Sequence, residues 1–204
     1  MLLAVVTLAQ LLRDCAPNVS PSTMTAIVRV ESGGNTLALR DNTLGQAYAP
    51  RIGAEAISWA SQLIALGHSL DLGLSQVNSA NLPKLGISVR DAFNPCTNLR
   101  AGSAILGADY SAAASRFGAG QYALRRALGA YNTGSLYAGQ DYVNEILAAA
   151  GLSPENDGVV ATKAPAAKAP AARAKHRSAP SGPSPGYTVQ RTAGSPVTVF
   201  VGSP

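Results

Sequence analysis

Helical hydrophobic periodicity, stopped repeatedly by glycine, is the feature that most constrains this chain. Ser20-Pro21 supplies an N-cap with Pro at the first helical position; Met24, Ile27 and Val28 follow at helical spacing, and Gly33-Gly34 ends the run. Ala54 to Leu66 repeats the pattern, with Ala56, Ala60, Leu63 and Ile64 on one face and Gly67 as the stop. Asn98 to about Ala114 reads as a third helix and Gln121 to Tyr131 as a fourth. Asp141 is placed to cap a fifth, with Tyr142, Ile146 and Ala149 on one face and Gly151 after it. Between these segments, Arg40 to Gly53 shows no helical period, Gly73 to Asn78 suits a short strand or tight loop, and Asn81 to Pro95 reads as irregular. The expected class is mainly α (α+β), with a small irregular or β insertion and one minor hairpin.

The pattern stops at Ser153. From Pro154 to Pro204 the chain holds eight Pro and ten Ala with scattered Lys and Arg, the composition of a semi-extended, disordered tail. Within it, Val197 to Val201 has strong β-propensity. Residues 1–153 therefore read as the folded domain and 154–204 as a flexible Ala/Pro/Lys-rich tail. The break also sorts the charge. The formal net charge is +5, of which the tail carries +4 (Lys163, Lys168, Arg173, Lys175, Arg177 and Arg191 against Glu155 and Asp157), leaving +1 on the domain. A nearly neutral domain argues against a basic nucleic-acid face, and 5% aromatic residues are too few for base-stacking platforms. No apolar run reaches the roughly 18 residues of a membrane span. A single domain of this size suits a monomer.

Met1 to Leu12 resembles the apolar region of a signal peptide but lacks a basic start and a small-residue cleavage site. It reads as an amphipathic first helix, which leaves the export route open. Cys15 and Cys96 are the two cysteines. An even count with no metal-ligand spacing fits one disulfide in an oxidising compartment; two buried thiols are the alternative. His68 and His176 are the two histidines, and no metal, cofactor or phosphate-loop pattern is present.

The carboxylate that stands out is Glu31. It lies seven residues after Met24 and three after Val28, so it continues the stripe that should be buried. Burial there disfavours the charged form, and a glutamate tuned to ~6–7 is a good general acid near neutral pH. The alternative is a helix-end glutamate in solvent. Two further segments carry amides and tyrosine rather than charge: Gly73-Leu74-Ser75-Gln76-Val77-Asn78 and Ala130-Tyr131-Asn132-Thr133-Gly134. Such groups suit a neutral sugar, although each segment alone also fits turn and capping chemistry.

Together, Glu31-Ser32-Gly33-Gly34, Gly73 to Asn78, and Ala130 to Gly134 followed by Tyr142-Val143 resemble the motif set of the soluble-lytic-transglycosylase family. Cys15-Ala16-Pro17, the stretch Gly67 to Gly73, and Phe93-Asn94-Pro95-Cys96 resemble its VirB-type branch, which accompanies type IV secretion and conjugation systems. The resemblance covers about residues 14–150. It implies a lysozyme-like fold, a periplasmic or cell-envelope location, and peptidoglycan glycan strands as substrate. It implies Glu31 as the catalytic acid/base with Ser32 as its helper, a groove lined by Gln76, Asn78, Tyr131 and Asn132, and Tyr142 nearby. One departure is Ser75, where this family often has Met, which would thin an apolar wall of the groove. No cofactor is implied, and the tail is expected to reach secretion components.

A single catalytic carboxylate implies cleavage without water. Protonated Glu31 would donate to the bond between N-acetylmuramic acid and N-acetylglucosamine, the substrate's acetamido oxygen would stabilise the cationic centre, and the muramyl C6 hydroxyl would close a 1,6-anhydro ring. Two alternatives stay open. One is a hydrolytic muramidase with Asp41 as second carboxylate, although Asp41 also suits a role in holding its loop. The other is an inactive peptidoglycan-binding scaffold.

Overall fold

The structure is a computed structural model that describes residues 7–152. The readings for Met1 to Val6, for His176, for the 154–204 tail and for its β-prone stretch Val197 to Val201 lie outside the described residues. Helix α1 (Leu8–Cys15) starts at Thr7, whose hydroxyl accepts the Gln10 N–H at 3.3 Å. Helix α2 (Pro21–Ser32) begins at Ser20-Pro21 and ends at Gly33 in the left-handed conformation, as its capping residues anticipate. Next come β1 (Leu39–Asp41), β2 (Gln46–Tyr48), α3 (Gly53–Ala65), β3 (Leu70–Leu72) and β4 (Val77–Asn78). A 3-10 turn (Ser79–Asn81) leads into α4 (Leu82–Leu85), α5 (Val89–Ala92), α6 (Pro95–Phe117), α7 (Gln121–Thr133) and α8 (Gln140–Ala149). This is the mainly helical, lysozyme-like class that was expected.

Several elements differ from the sequence reading. The β insertion is larger than one minor hairpin: Gly73 to Asn78 holds the tight turn and short strand that were expected, and β1, β2 and β3 stand beside it. Together they form a four-stranded antiparallel sheet in the order β2-β1-β3-β4. Strands of two or three residues are too short to show a period of two, so alternation could not reveal them. Asn81 to Pro95 is not irregular; it holds the 3-10 turn and two four-residue helices, one with a Ser88–Asp91 capping box. Helix α6 starts three residues before Asn98, because Asn94 caps it through the Thr97 N–H at 3.0 Å and Pro95 takes the first helical position. Asp141 does not cap α8. Gly139 precedes that helix, and Asp141 lies in its first turn, where a negative charge is favoured by the helix dipole.

Two apolar clusters share α6. On one side Leu12, Met24, Ile27, Val28, Leu99, Leu106, Leu128, Tyr142 and Ile146 join α1, α2, α6, α7 and α8. On the other, Leu39, Ala56, Ala60, Leu70, Leu72, Val77 and Ala101 join the sheet to α3 and α6. The 23-residue α6 is thus the wall between a helical lobe and a small sheet lobe. Helix α8 is tied to α2 by Arg29, whose guanidinium donates to the Ala149 carbonyl at 2.8 Å. Cys15 at the end of α1 is disulfide-bonded to Cys96 at the start of α6, 81 residues apart. In the chain-entropy model, a loop of this size stabilises the fold by roughly 4 kcal/mol.

The β1–β2 turn has its own clamp. Asp41 is fully buried. Its Oδ1 accepts the Thr43 and Leu44 N–H groups at 2.8 and 3.1 Å, and His68 Nδ1 donates to its Oδ2 at 2.6 Å. Burial acts to raise the Asp41 pKa, but the His68 bond and the two backbone donors outweigh it, and the net shift is below the ordinary 3.8. The sheet edge is therefore held by a charged hydrogen-bond acceptor.

Two predictions follow from these constraints. Thiol labelling of the denatured, oxidised protein finds no free cysteine, and Cys96→Ser lowers stability by about 2–5 kcal/mol in denaturant unfolding; two labelled thiols would contradict the pairing. The Asp41 contribution is fully present above its unfolded value of about 3.8 and is lost as pH falls through the lower folded value. Thermal unfolding from pH 6 down to pH 2 should show that loss, and Asp41→Asn should flatten it while lowering stability at pH 6.

Candidate active site

The site forms where α2, α7 and α8 meet the β3–β4 turn. Residues Leu70 to Asn78 are all buried. A buried loop cannot leave its N–H and C=O groups to water, so each needs a partner in the protein. Asn98, 1% exposed on α6, supplies two of them and also binds the end of α5. Its Oδ1 accepts the Ser75 N–H at 2.7 Å, and its Nδ2 donates to the carbonyls of Leu72 at 2.8 Å and Ala92 at 2.7 Å. The fit is close on both sides. Gly73 has φ +71°, and a Cβ there would come within 2.5 Å of Asn98 Nδ2. A Cβ on Gly102 would meet Ser75 Cβ at 2.6 Å. The Tyr131 hydroxyl then fixes the turn from α7, donating to the Ser75 carbonyl at 2.7 Å.

Glu31 is the penultimate residue of α2 and is half-buried. Its direct neighbour is Tyr142 on α8, whose buried hydroxyl finds no other hydrogen-bond partner among the described residues. Burial first, then the charge of Glu31, pushes the Tyr142 phenol well above its ordinary value, so it stays protonated and can only donate toward the carboxylate. Ser32 stabilises the turn after Glu31: its hydroxyl donates to the Val28 carbonyl at 3.1 Å and accepts the Gly34 N–H at 3.2 Å.

The other sequence-derived candidates are placed as follows. Gln76 is 7% exposed and has φ +47°, the one positive value at a non-glycine among the described residues. Its Nε2 donates to Gly73 O at 3.0 Å and Ala38 O at 3.3 Å, which pins the turn to the segment before β1. Asn78 donates to Asp71 Oδ1 at 2.8 Å and Ser69 Oγ at 3.0 Å, and its Oδ1 accepts the Ala80 N–H at 3.0 Å. Both amide N–H groups are thus engaged within the protein. Asn132 is half-buried one residue past Tyr131. Ser75 does not thin a groove wall: it is fully buried against Gly102, so its side chain faces α6. Asp41 is taken up by the β1–β2 turn and His68, as its neighbours in sequence suggested.

Two positions that shape the candidate site were not singled out from sequence. Asn98 reads as an ordinary position near a helix start. Asp71, 2% exposed, lies between Leu70 and Leu72, and a charge inside an apolar strand before Gly73 was the available signal. Asp71 pairs across the sheet with Arg40 and Asn78, so it stands on the face opposite Asp41. Its charge acts on Tyr131. Burial raises the Tyr131 phenol well above its ordinary value, and the charges of Glu31, Asp71 and Asp109 add to it. Asp109, on α6, is itself pushed up to about 7 by burial. Glu31 and Asp71 thus act on one buried tyrosine from α2 and the sheet, with a proton donor, Tyr142, beside Glu31. Among the described residues no group of His, Cys, Asp or Glu is placed to hold a metal ion, and no helix is long and apolar enough to cross a membrane.

Comparison with known proteins finds relatives of this chain. Protein virB1 of Agrobacterium fabrum is 41% identical over 140 residues, covering 68% of this chain and 57% of that protein. Type IV secretion system protein virB1 of Brucella suis biovar 1 is 39% identical over 158 residues, covering 74% and 66%. Its counterpart in Brucella abortus biovar 1 is 40% identical over 148 residues, covering 69% and 62%. The chain therefore spans less than two thirds of the length of these relatives. No solved structure matches it. Residues 12–144, which hold Glu31, the buried turn, Tyr131 and Tyr142, match the transglycosylase SLT domain, and the chain belongs to that family.

Proposed function

We propose that this protein is a peptidoglycan lytic transglycosylase that opens the cell wall locally for a type IV secretion or conjugation apparatus. The observation that carries the activity is the gathering of Glu31 and Tyr142 about Tyr131, whose hydroxyl fixes the buried β3–β4 turn. Glu31 in its acid form donates its proton to the oxygen linking N-acetylmuramic acid to N-acetylglucosamine. The Tyr142 hydroxyl orients the carboxyl group. As the bond breaks, the acetamido oxygen of the substrate stabilises the positive charge at the muramyl C1. The Glu31 carboxylate then takes the proton from the muramyl C6 hydroxyl, whose oxygen attacks C1 and closes the 1,6-anhydro ring. Glu31 ends protonated, as it began, and no water is consumed. Asn132 and Gln76 Oε1 are the amide groups we assign to the sugar, while Ser32 and Asn78 hold the backbone that positions them.

The setting is supported from two sides. The Cys15–Cys96 disulfide belongs to an oxidising compartment, which suits the periplasm. Relatives named as type IV secretion system proteins, about 40% identical, suit a role beside a secretion apparatus. The tail, with its net +4, would bring the enzyme to the anionic wall or to acidic secretion components.

A hydrolytic muramidase would need a second carboxylate at the cleavage site. Asp41 does not meet that need, because both its oxygens serve the β1–β2 clamp. Asp71 and Asp109 are the carboxylates whose charges act on Tyr131 together with that of Glu31, and Asp71, on the sheet, is the one we take for the competing reaction.

Mass spectrometry of digested peptidoglycan should find 1,6-anhydromuropeptides; reducing-end products one water heavier would overturn the reaction. Glu31→Gln should lower turnover at least about 10²-fold with the melting temperature kept, and retained activity would move the acid elsewhere. Asp71→Asn keeps an oxygen for the Asn78 bond, so it should fold and still release anhydro products at reduced rate. Abolished activity in that variant, with hydrated products from the parent, would establish the two-carboxylate reaction instead.

A further inference from the structure

A second feature lies away from Glu31, at the junction of α6, α7 and the segment leading into α8. Phe117 stands at its centre. Tyr122 and Tyr137 meet the Phe117 ring edge-on, at centroid distances of 5.5 and 5.9 Å with interplanar angles of 89° and 81°. Each tyrosine carries a guanidinium. Arg116 Cζ lies 5.3 Å from the Tyr137 centroid, and Arg126 Cζ lies 4.8 Å from that of Tyr122. Both also lie 5.9 Å from Phe117. Arg126 Nη2 donates to the Tyr122 hydroxyl at 2.6 Å. Tyr137 is 61% exposed and Tyr122 is 38% exposed, so this alternating ladder of rings and cations is a surface feature.

Its charge is unbalanced. Neither Arg116 nor Arg126 has a carboxylate within salt-bridge distance among the described residues. Residues 110–140 contain no Asp or Glu, so Arg116 and Arg126 lie in a basic stretch of a domain whose net charge is +1. The ring contacts hold both guanidinium groups in place, Arg126 using one N–H for the Tyr122 hydroxyl, and their remaining N–H groups are prepared for hydrogen bonds to carboxylates at little further entropic cost. The chain's own tail, at +4, has the wrong sign to fill this surface.

Its location ties it to the cleavage site. The segment between α7 and α8 leaves from Tyr131-Asn132-Thr133 and runs back along α7. A Cβ on Gly129 would strike the Ala138 carbonyl oxygen, so only glycine lets the two pack. That packing carries Tyr137, six residues past Tyr131, to Phe117. A polymer extending from the site along α7 would reach this ladder.

We propose that Arg116, Phe117, Tyr122, Arg126 and Tyr137 form a second peptidoglycan-binding site that takes the carboxylates of the stem peptides on a glycan strand outside the bond being cleaved. The arginines hold the carboxylates, and the tyrosines cover the aliphatic parts of the peptide and the sugar face. The site holds the enzyme on the wall between cleavage events and favours peptide-bearing strands over naked ones. This inference depends on peptidoglycan being the substrate of the cleavage site.

The test is cosedimentation of the full chain carrying Glu31→Gln with purified sacculi, and with the same sacculi stripped of stem peptides by an amidase. Adding Arg116→Gln and Arg126→Gln should weaken binding to intact sacculi about 5- to 10-fold at low salt and leave binding to stripped sacculi unchanged. Tyr137→Ala, which changes one exposed loop residue, should weaken it in the same direction and guards against a misfolded double variant. Undiminished binding to intact sacculi would overturn the proposal and leave the ladder to a protein partner. An equal loss on stripped sacculi would overturn the carboxylate assignment. With Glu31 restored, the double arginine variant should still release anhydro products from short soluble fragments. A parent chain that releases none would count against the cleavage reaction, while the binding result would be read independently.

Discussion

One buried amide organises the centre of this molecule. Asn98 satisfies two carbonyls and one N–H of chain segments that water does not reach, and it does so from a helix that belongs to both hydrophobic clusters. Without it, the buried turn between β3 and β4 would hold unpaired backbone groups, each costing on the order of 1–3 kcal/mol. With it, the turn lies flush on α6, and the absence of a side chain at Gly73 and Gly102 becomes a requirement of the same contact. The carbonyl of Ser75 is then left pointing at Tyr131, which places α7 relative to the sheet. Preorganisation of this kind costs nothing further when a substrate arrives, and so it is what a catalytic site needs from its scaffold.

The sheet also separates two carboxylates that sequence alone could not tell apart. Asp41 and Asp71 lie on neighbouring strands, and the pleat sends their side chains to opposite faces. Asp41 meets His68 and two backbone donors, which hold it ionised and occupied. Asp71 meets Asn78 and the field of Tyr131. The difference in role comes from register, since a shift of one residue would exchange the two faces. Around Tyr131 the negative charge is concentrated, whereas residues 110–140 are positive. The near-neutral domain total thus conceals acidic surroundings of Tyr131 and a basic stretch over residues 110–140.

Helix boundaries were largely legible where local chemistry fixes them. The Ser20-Pro21 start and the Gly33 stop of α2 follow from capping and backbone sterics within a few residues. The true start of α6 was also written locally, in Asn94-Pro95, but apolar periodicity alone does not display it. The strands were only partly legible: Gly73 to Asn78 suited a short strand or tight loop, but β1, β2 and β3 did not show, because two or three residues carry no period. The amides of Gln76 and Asn78 looked like free sugar-binding groups. Only the folded chain shows their N–H groups turned inward, since the partners lie up to 38 residues away.

The sequence by itself determined the mainly helical class, the placing of Glu31 at the end of an apolar stripe, the pairing option for Cys15 and Cys96, and the split between a near-neutral domain and a basic tail. Each of these depends on residue type and on spacing within a few turns of helix. The tertiary structure decided which carboxylates act on the same tyrosine as Glu31, which amides hold the scaffold, and that Arg116, Phe117, Tyr122, Arg126 and Tyr137 gather at one surface. The physical reason is that these outcomes depend on strand register and on close approach at glycines, contacts between residues far apart in the chain whose energies exist only once the fold has brought them together.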